Sequence, residues 1–180
     1  MARKQHLAAS WRFMTNTCCY ARACYYARLI AQTICPHLAD SVGIAAFNHD
    51  AGKIKIPGHL LYKPGKLSGE EWALVRQHPV IGAKMFCSMN SLTEKNSLIA
   101  LAIRHHHERW DGKGYPDGLR SGGMPFAARV IAVADAFDAM TTGRSYRGAM
   151  SKEQAIQEII RFSGKQFDPA IAGIAVKIFK

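Results

Sequence analysis

From Thr17 to Ile34 the chain reads TCCYARACYYARLIAQTI, with apolar residues at helical spacing, and Pro36 separates this run from a second one, LADSVGIAAFNHD, that leads up to His49 and Asp50. Three later stretches, SGEE (68–71), SLTE (91–94) and SKEQ (151–154), match the capping-box pattern at the head of apolar-periodic runs. Asp168-Pro169 adds an N-cap with proline in the first turn, and ARVIAVADAFDAM supplies a further apolar helix. Strand signals are nearly absent. The pattern predicts an all-α bundle with loops at 52–67, 108–125 and 143–150, rich in Gly, Pro and Lys/Arg. No internal repeat, low-complexity tract or second domain is visible, so one domain over 1–180 is expected.

Composition fits that picture: 48% apolar and 21% charged residues in 180 are enough for a real core. The most apolar stretch, 18–31, is interrupted by Arg22 and Arg28, too soon to span a bilayer. The basic start MARKQHLAASWRF is followed by no long apolar core, so no secretory signal is read and a cytoplasmic location is expected. Five cysteines, three of them crowded at Cys18, Cys19 and Cys24, form no disulfide framework and fit a reducing compartment. The net charge of +11 suggests an anionic partner. The basic residues are scattered, without helix-turn-helix or zinc-finger spacing, which argues against a nucleic acid polymer.

Metal-binding side chains fall at telling places. His49-Asp50 ends one helix, His78 stands beside Pro79 at the start of another, His106 and His107 end a third, and Asp135 lies inside a fourth. Imidazoles and carboxylates converging from separate helices are how bundles build metal centres. Singly, each has an ordinary explanation: His78 as a surface or capping histidine, Asp135 as a hydrogen-bonded polar group in the core. A carboxylate between Val133-Ala134 and Ala136-Phe137 is nonetheless costly to bury unless it is paired or metal-bound.

Four motifs in this order, NHDAGKIKIP, HPVIG, HHHERWDGKGYPDGL and VADAFDAMTTGRSYR, closely resemble the HD-GYP subgroup of the HD-domain metal-dependent phosphohydrolases. The match runs over 38–180, with 1–37 as a divergent helical part. The resemblance implies a compact HD-domain helical bundle with its Gly-rich GYP loop at the metal site. It implies a bacterial signalling phosphodiesterase that opens cyclic di-GMP to linear pGpG, in some members onward to GMP. Such sites hold two divalent ions, occasionally three; iron or manganese is expected here, with zinc, nickel and magnesium as alternatives.

Carried over by motif, His49 and Asp50 become the eponymous ligands, with Asp50 bridging. His78, His106 and His107 complete one ion and Asp135 binds the other. His105 is left out, as a polar residue at a helix end. Adjacent residues on a helix diverge by about 100°, so His106 and His107 can share an ion only where their helix stops. A two-metal centre would grip the phosphate and activate a water. Lys53 would neutralise charge on the scissile phosphate, and Arg144 and Arg147 of GRSYR would contact substrate phosphates. Gly112, Gly114 and Gly118 would allow tight turns, with Pro116 stiffening the loop, and Glu108, Arg109 and Asp111 would tie it to the bundle or orient the histidines. The loop bearing Gly114, Tyr115 and Pro116 is implied to meet partner signalling proteins, among them diguanylate cyclase (GGDEF-type) domains.

The chain departs from the subgroup on its first helix. There CYARACYY keeps Arg22 and Tyr26 of an H-x-x-R-V-x-x-Y pattern but has Cys19 in place of the histidine, and no acidic residue precedes it. A thiolate can replace imidazole at a borderline metal; a free cysteine in a helix is more commonly a small apolar residue. No receiver or sensor domain is read in these 180 residues. Two other functions stay open: a non-enzymatic relative that binds the dinucleotide or a partner through the GYP face, and an HD-type phosphohydrolase acting on another nucleotide.

Overall fold

The first helix, α1 (Thr17–Ile34), buries Ala27, Ile30 and Ala31 against α2 (Ala39–Asn48) and the later helix α7 (Phe126–Thr141). The computed structural model describes residues 17–142 and 148–180, with the side chains of residues 17–20 outside that description. Arg144, Arg147 and the Cys19 side chain therefore lie outside the described residues. The proline expected to separate α1 from α2 opens a single 3₁₀ turn, Pro36–Leu38, because it can take a first helical position but cannot continue a helix.

The 52–67 loop is more structured than its composition suggests. It contains a 3₁₀ turn at Ala51–Lys55 and a short helix, α3 (Gly58–Leu61). Helix α4 (Gly69–Val75) starts on the expected capping box: Ser68 Oγ accepts from the Glu71 amide, and Glu71 accepts in return from the Ser68 amide. α5 (His78–Met89) follows, with Pro79 in its first turn. α6 (Glu94–His105) is capped by Thr93 rather than by Ser91 of SLTE. The Thr93 hydroxyl accepts from the Asn96 amide, while the Ser91 carbonyl accepts from the Asn96 side chain. Only Ser91 has the glutamate three positions on that the pattern asks for, yet the chain caps on Thr93, whose third following residue is Asn96.

α8 (Lys152–Arg161) begins on the Ser151–Gln154 capping box, and α9 (Pro169–Phe179) begins on Asp168, whose carboxylate accepts from the amides of Ala170 and Ile171. No strand occurs among the described residues; Ser163 and Phe167 form one isolated bridge. The core runs through all the longer helices, from Val42 and Ala46 of α2 through Ile99 and Ile103 of α6 to Val130, Ala134 and Phe137 of α7. Phe137 stacks on Phe179 with ring centroids 3.9 Å apart, and Tyr26 meets both rings edge-on. Many contact positions are alanine, which lets helix axes approach closely. That closeness brings the end of α2, the start of α5, the end of α6 and the middle of α7 to one place.

Candidate metal centre

His49 and Asp50 follow the last residue of α2, where the chain turns sharply into the Ala51–Lys55 3₁₀ turn. That turn lies against the start of α5, and glycine makes the approach feasible. A Cβ on Gly52 would stand 2.6 Å from the Gly82 amide nitrogen and closer still to the His78 carbonyl oxygen. Gly82 is one helical turn after His78, so the small pair Gly52 and Gly82 sets the spacing between Asp50 and His78. The motifs NHDAGK and HPVIG contain both glycines, but only the tertiary contact reveals why they are needed.

The structure brings six of the sequence-predicted residues together. His78 Nε2 lies 3.2 Å from Asp50 Oδ1. His49 Nε2 lies 3.5 Å from Asp50 Oδ2 and 3.5 Å from Asp135 Oδ1. The His106 ring packs on those of His49, His78 and His107, and donor atoms of Asp50, His78, His106 and His107 all fall within 4.8 Å of one another. α6 ends at His105 with His106 as its still-helical C-cap (φ −66°, ψ −15°), so His107 stands beyond the helix and the two ring centroids come within 4.1 Å.

Each buried imidazole is oriented in the same way. His49 Nδ1 donates to Ala46 O at 2.6 Å, His78 Nδ1 to Val75 O at 2.8 Å and His106 Nδ1 to Ile103 O at 2.7 Å. A carbonyl can only accept, so the proton sits on Nδ1 and the Nε2 lone pair points into the cluster when the ring is neutral. Three of the inward atoms, Asp50 Oδ1, His78 Nε2 and His106 Nε2, are buried and have no hydrogen-bond partner. Buried polar atoms without partners are rare because their desolvation goes uncompensated. A nitrogen lone pair facing a carboxylate oxygen repels unless a cation lies between them, so the donor set fits a metal ion.

The electrostatics show the same demand for positive charge. Burial acts most strongly on His49 and lowers its pKa, but the Asp50 and Asp135 carboxylates together with the Ala46 carbonyl outweigh it and lift the value to about 9. Asp50 is held well below its ordinary value: burial opposes this, and His49, Lys53 and His78 overcome it. Asp135 is lowered mainly through His49, again against burial. His106 is driven well below the ordinary histidine range, and His107 to about 3, by burial first and then by neighbouring imidazoles. Those two rings are thus neutral and ready to ligate at pH 7. Lys53 Nζ pairs with Asp50 Oδ2 at 2.5 Å from the turn beside the cluster.

The glycine-rich segment closes over this centre. Tyr115 stacks on the His107 ring with centroids 4.8 Å apart, and its amide donates to the His107 carbonyl at 3.3 Å. Gly112 and Gly118 adopt left-handed φ values of 77° and 68°, while a Cβ on Gly114 would lie 2.5 Å from the Arg109 amide nitrogen. The Tyr115-Pro116 bond is cis. Glu108, only 1% exposed, accepts from the amides of Asp117 at 2.7 Å and Leu119 at 3.1 Å. Arg109 bonds Asp111 and Gln166, and the Trp110 and Asp111 amides bond carbonyls of residues 165 and 166. Glu108, Arg109 and Asp111 thus tie the loop to itself and to the segment before α9, and no hydrogen bond from them to the clustered histidines is seen among the described residues.

His105 is more than a polar residue at a helix end. It is buried and bridges the Leu101 carbonyl and the Asp117 carboxylate, which Arg104 also grips with two hydrogen bonds at 2.8 and 2.7 Å. On α1, Arg22 pairs with the buried Asp138 at 2.8 Å and donates to Thr141 Oγ1, so that arginine braces α7 one turn beyond Asp135.

An HD-domain family model matches residues 10–171. The chain belongs to the HD-domain family, in its HD-GYP group. It is 41% identical over 140 residues to a cyclic di-GMP phosphodiesterase of Thermotoga maritima, covering 77% of this chain and 37% of the relative. It is 43% identical over 129 residues to the cyclic di-GMP phosphodiesterase response regulator RpfG of Xanthomonas campestris, covering 71% and 33%. A 3′3′-cGAMP-specific phosphodiesterase of Vibrio cholerae is 36% identical over 140 residues, covering 77% and 26%. The chain thus spans about a third of the length of these curated relatives. The solved HDGYP protein Bd1817 of Bdellovibrio bacteriovorus shares the fold, with a TM-score of 0.68 at 23% identity over 89% of this chain and 51% of that one. No described helix is long and apolar enough to cross a membrane.

Proposed function

We propose that this HD-GYP domain is a metal-dependent phosphodiesterase that hydrolyses cyclic di-GMP to pGpG. The observation that carries the reading is the set of orphaned donors, Asp50 Oδ1, His78 Nε2 and His106 Nε2, turned toward one another under the GYP loop. The names of the Thermotoga and Xanthomonas relatives support the substrate. In this reading the domain works in the cytoplasm, and its GYP face is available to diguanylate cyclase or other signalling domains.

His78, His106, His107 and Asp50 would hold one divalent ion and His49, Asp50 and Asp135 a second, iron or manganese by the resemblance. Bound ions supply Lewis acidity toward the phosphate and an activated water at neutral pH. The protein's own groups do the rest. The carbonyls of Ala46, Val75 and Ile103 hold three imidazoles in the ligating tautomer. Lys53, paired with Asp50 and partly exposed, would turn its ammonium toward the scissile phosphate. Tyr115, stacked on His107, excludes water from one side of the cluster. Arg144 and Arg147 would grip substrate phosphates.

The Vibrio relative named for 3′3′-cGAMP favours a second reading, in which a mixed cyclic dinucleotide is the preferred substrate. The metal-loaded protein offered both dinucleotides separately decides between them. A higher kcat/KM for cyclic di-GMP supports the first reading, a higher one for 3′3′-cGAMP the second, and turnover of neither overturns both.

A further inference from the structure

The turn that delivers His78 to the metal centre also delivers an arginine that the four motifs leave out. Arg76 caps the C-terminus of α4, its amide donating to the Trp72 carbonyl at 2.9 Å. The i, i+4 spacing places both side chains on one helix face. The Arg76 guanidinium lies over the Trp72 ring at 5.7 Å and over the Tyr115 ring at 5.2 Å. Tyr115 is the ring stacked on His107. Arg76 is therefore separated from the metal cluster by one aromatic side chain.

Both Arg76 and Trp72 are exposed, and no carboxylate among the described residues pairs with the guanidinium. Three other arginines of this region are spoken for: Arg104 by Asp117, Arg109 by Asp111 and Arg129 by Asp168. Aromatic contacts hold a guanidinium by its faces and leave the in-plane N–H donors open. Such an edge suits two acceptor oxygens of one phosphate, gripped bidentately.

We infer that Arg76 is a substrate-contacting residue that binds the phosphodiester of the cyclic dinucleotide that is not being cleaved. This rests on the proposed cyclic dinucleotide phosphodiesterase activity. With one phosphate held at the metal centre for hydrolysis, the closed ring of the dinucleotide would keep the second phosphate a fixed distance away. A cation placed over Tyr115, on the loop beside the centre, would give that second charge a partner. Trp72 and Tyr115 act as positioning residues that fix the guanidinium plane.

The test is steady-state kinetics on metal-loaded wild type, Arg76→Gln and Arg76→Lys, using cyclic di-GMP, 3′3′-cGAMP and bis(p-nitrophenyl) phosphate, which has a single phosphodiester. Metal content is measured on every sample. The expected result is a KM for both cyclic dinucleotides raised about tenfold in Arg76→Gln, with kcat changing less and metal content as in wild type. The ratio of kcat/KM for cyclic di-GMP over the single diester falls by a similar factor. Arg76→Lys recovers part of the loss, and the effect shrinks as salt is raised. Equal losses on all three substrates, or a loss of metal, make Arg76 structural and overturn the inference. A loss confined to cyclic di-GMP assigns Arg76 to a guanine edge and overturns the phosphate assignment. Wild-type turnover of cyclic dinucleotides with unaltered Arg76→Gln kinetics overturns this inference alone, whereas wild type that turns over neither dinucleotide overturns the functional reading beneath it.

Discussion

His78 Nε2 faces Asp50 Oδ1 across 3.2 Å, both atoms buried and neither hydrogen-bonded. In the neutral ring the His78 proton is committed to the Val75 carbonyl, so the contact brings together two electron pairs, an arrangement that suits a shared cation. Asp50 joins both halves of the cluster, since its other oxygen lies 3.5 Å from His49. Asp50→Ala is expected to lower metal content and abolish phosphodiester hydrolysis together. Elemental analysis and turnover on the same preparation check this, and full metal occupancy with normal turnover would refute the ligand assignment.

Metal binding is expected to release a proton from His49. With its pKa lifted to about 9, His49 is charged at pH 7, while His107, at about 3, is neutral. An ion that takes His49 Nε2 must displace its proton, so apparent affinity should rise about tenfold per pH unit from 7 toward 9. In the metal-free protein the sign is opposite: a raised histidine pKa stabilises the fold below about pH 6.5, and that contribution is lost as pH rises through about 9. Calorimetric titration in buffers of different ionisation enthalpy reads the proton count. Release that is unchanged in His49→Gln would point to another group.

Gly52→Ala tests the close contact between the 3₁₀ turn and α5. The new methyl would collide with backbone at His78 and Gly82, which cannot rotate away. A loss of about 1–3 kcal/mol is expected from overpacking, along with a lower metal content because Asp50 and His78 are pushed apart. Gly69→Ala, with nothing within 4 Å of its Cβ, is the control and should stay within about 0.5 kcal/mol of wild type. Similar denaturation midpoints for the two variants would show that the turn has room to move.

The loop clamp should loosen in acid. Hydrogen bonds from Arg104 and then His105 hold the Asp117 pKa at about 2, below the ordinary 3.8. A depressed carboxylate pKa stabilises the fold above the unfolded value and loses that contribution as pH falls through the folded value. The stability difference between metal-free wild type and Asp117→Asn is therefore expected to be full above about pH 4 and to close toward pH 2. Urea titrations at several pH values measure it. A difference independent of pH over that window would mean that the charge of Asp117 does not matter.

The helices were legible in the sequence because their signals are local. Apolar periodicity marks α1 and α2, and Ser68, Ser151 and Asp168 cap where the pattern says they should. The choice of Thr93 over Ser91 was not legible, since both residues offer the same hydroxyl and only the final backbone path decides. The clustering of His49, Asp50, His78, His106, His107 and Asp135 could be anticipated from motifs at helix ends and, for Asp135, from a carboxylate inside an apolar helix. The groups that hold the cluster in shape could not, because they act through long-range contacts. Gly52 matters only because α5 passes beside it, and His105 only because Asp117 returns to it. Arg76 was likewise hidden, its partners being a helix neighbour and a loop tyrosine 39 positions later.

The most direct measurement is separation of the products formed when the metal-loaded protein is incubated with cyclic di-GMP. Linear pGpG is expected to accumulate with the wild-type protein, to require added Mn²⁺ or Fe²⁺ after chelation, and to be absent with Asp50→Ala. Cyclic di-GMP that stays intact in the presence of a protein shown to carry its metal ions would contradict the assignment of this centre as a phosphodiesterase site.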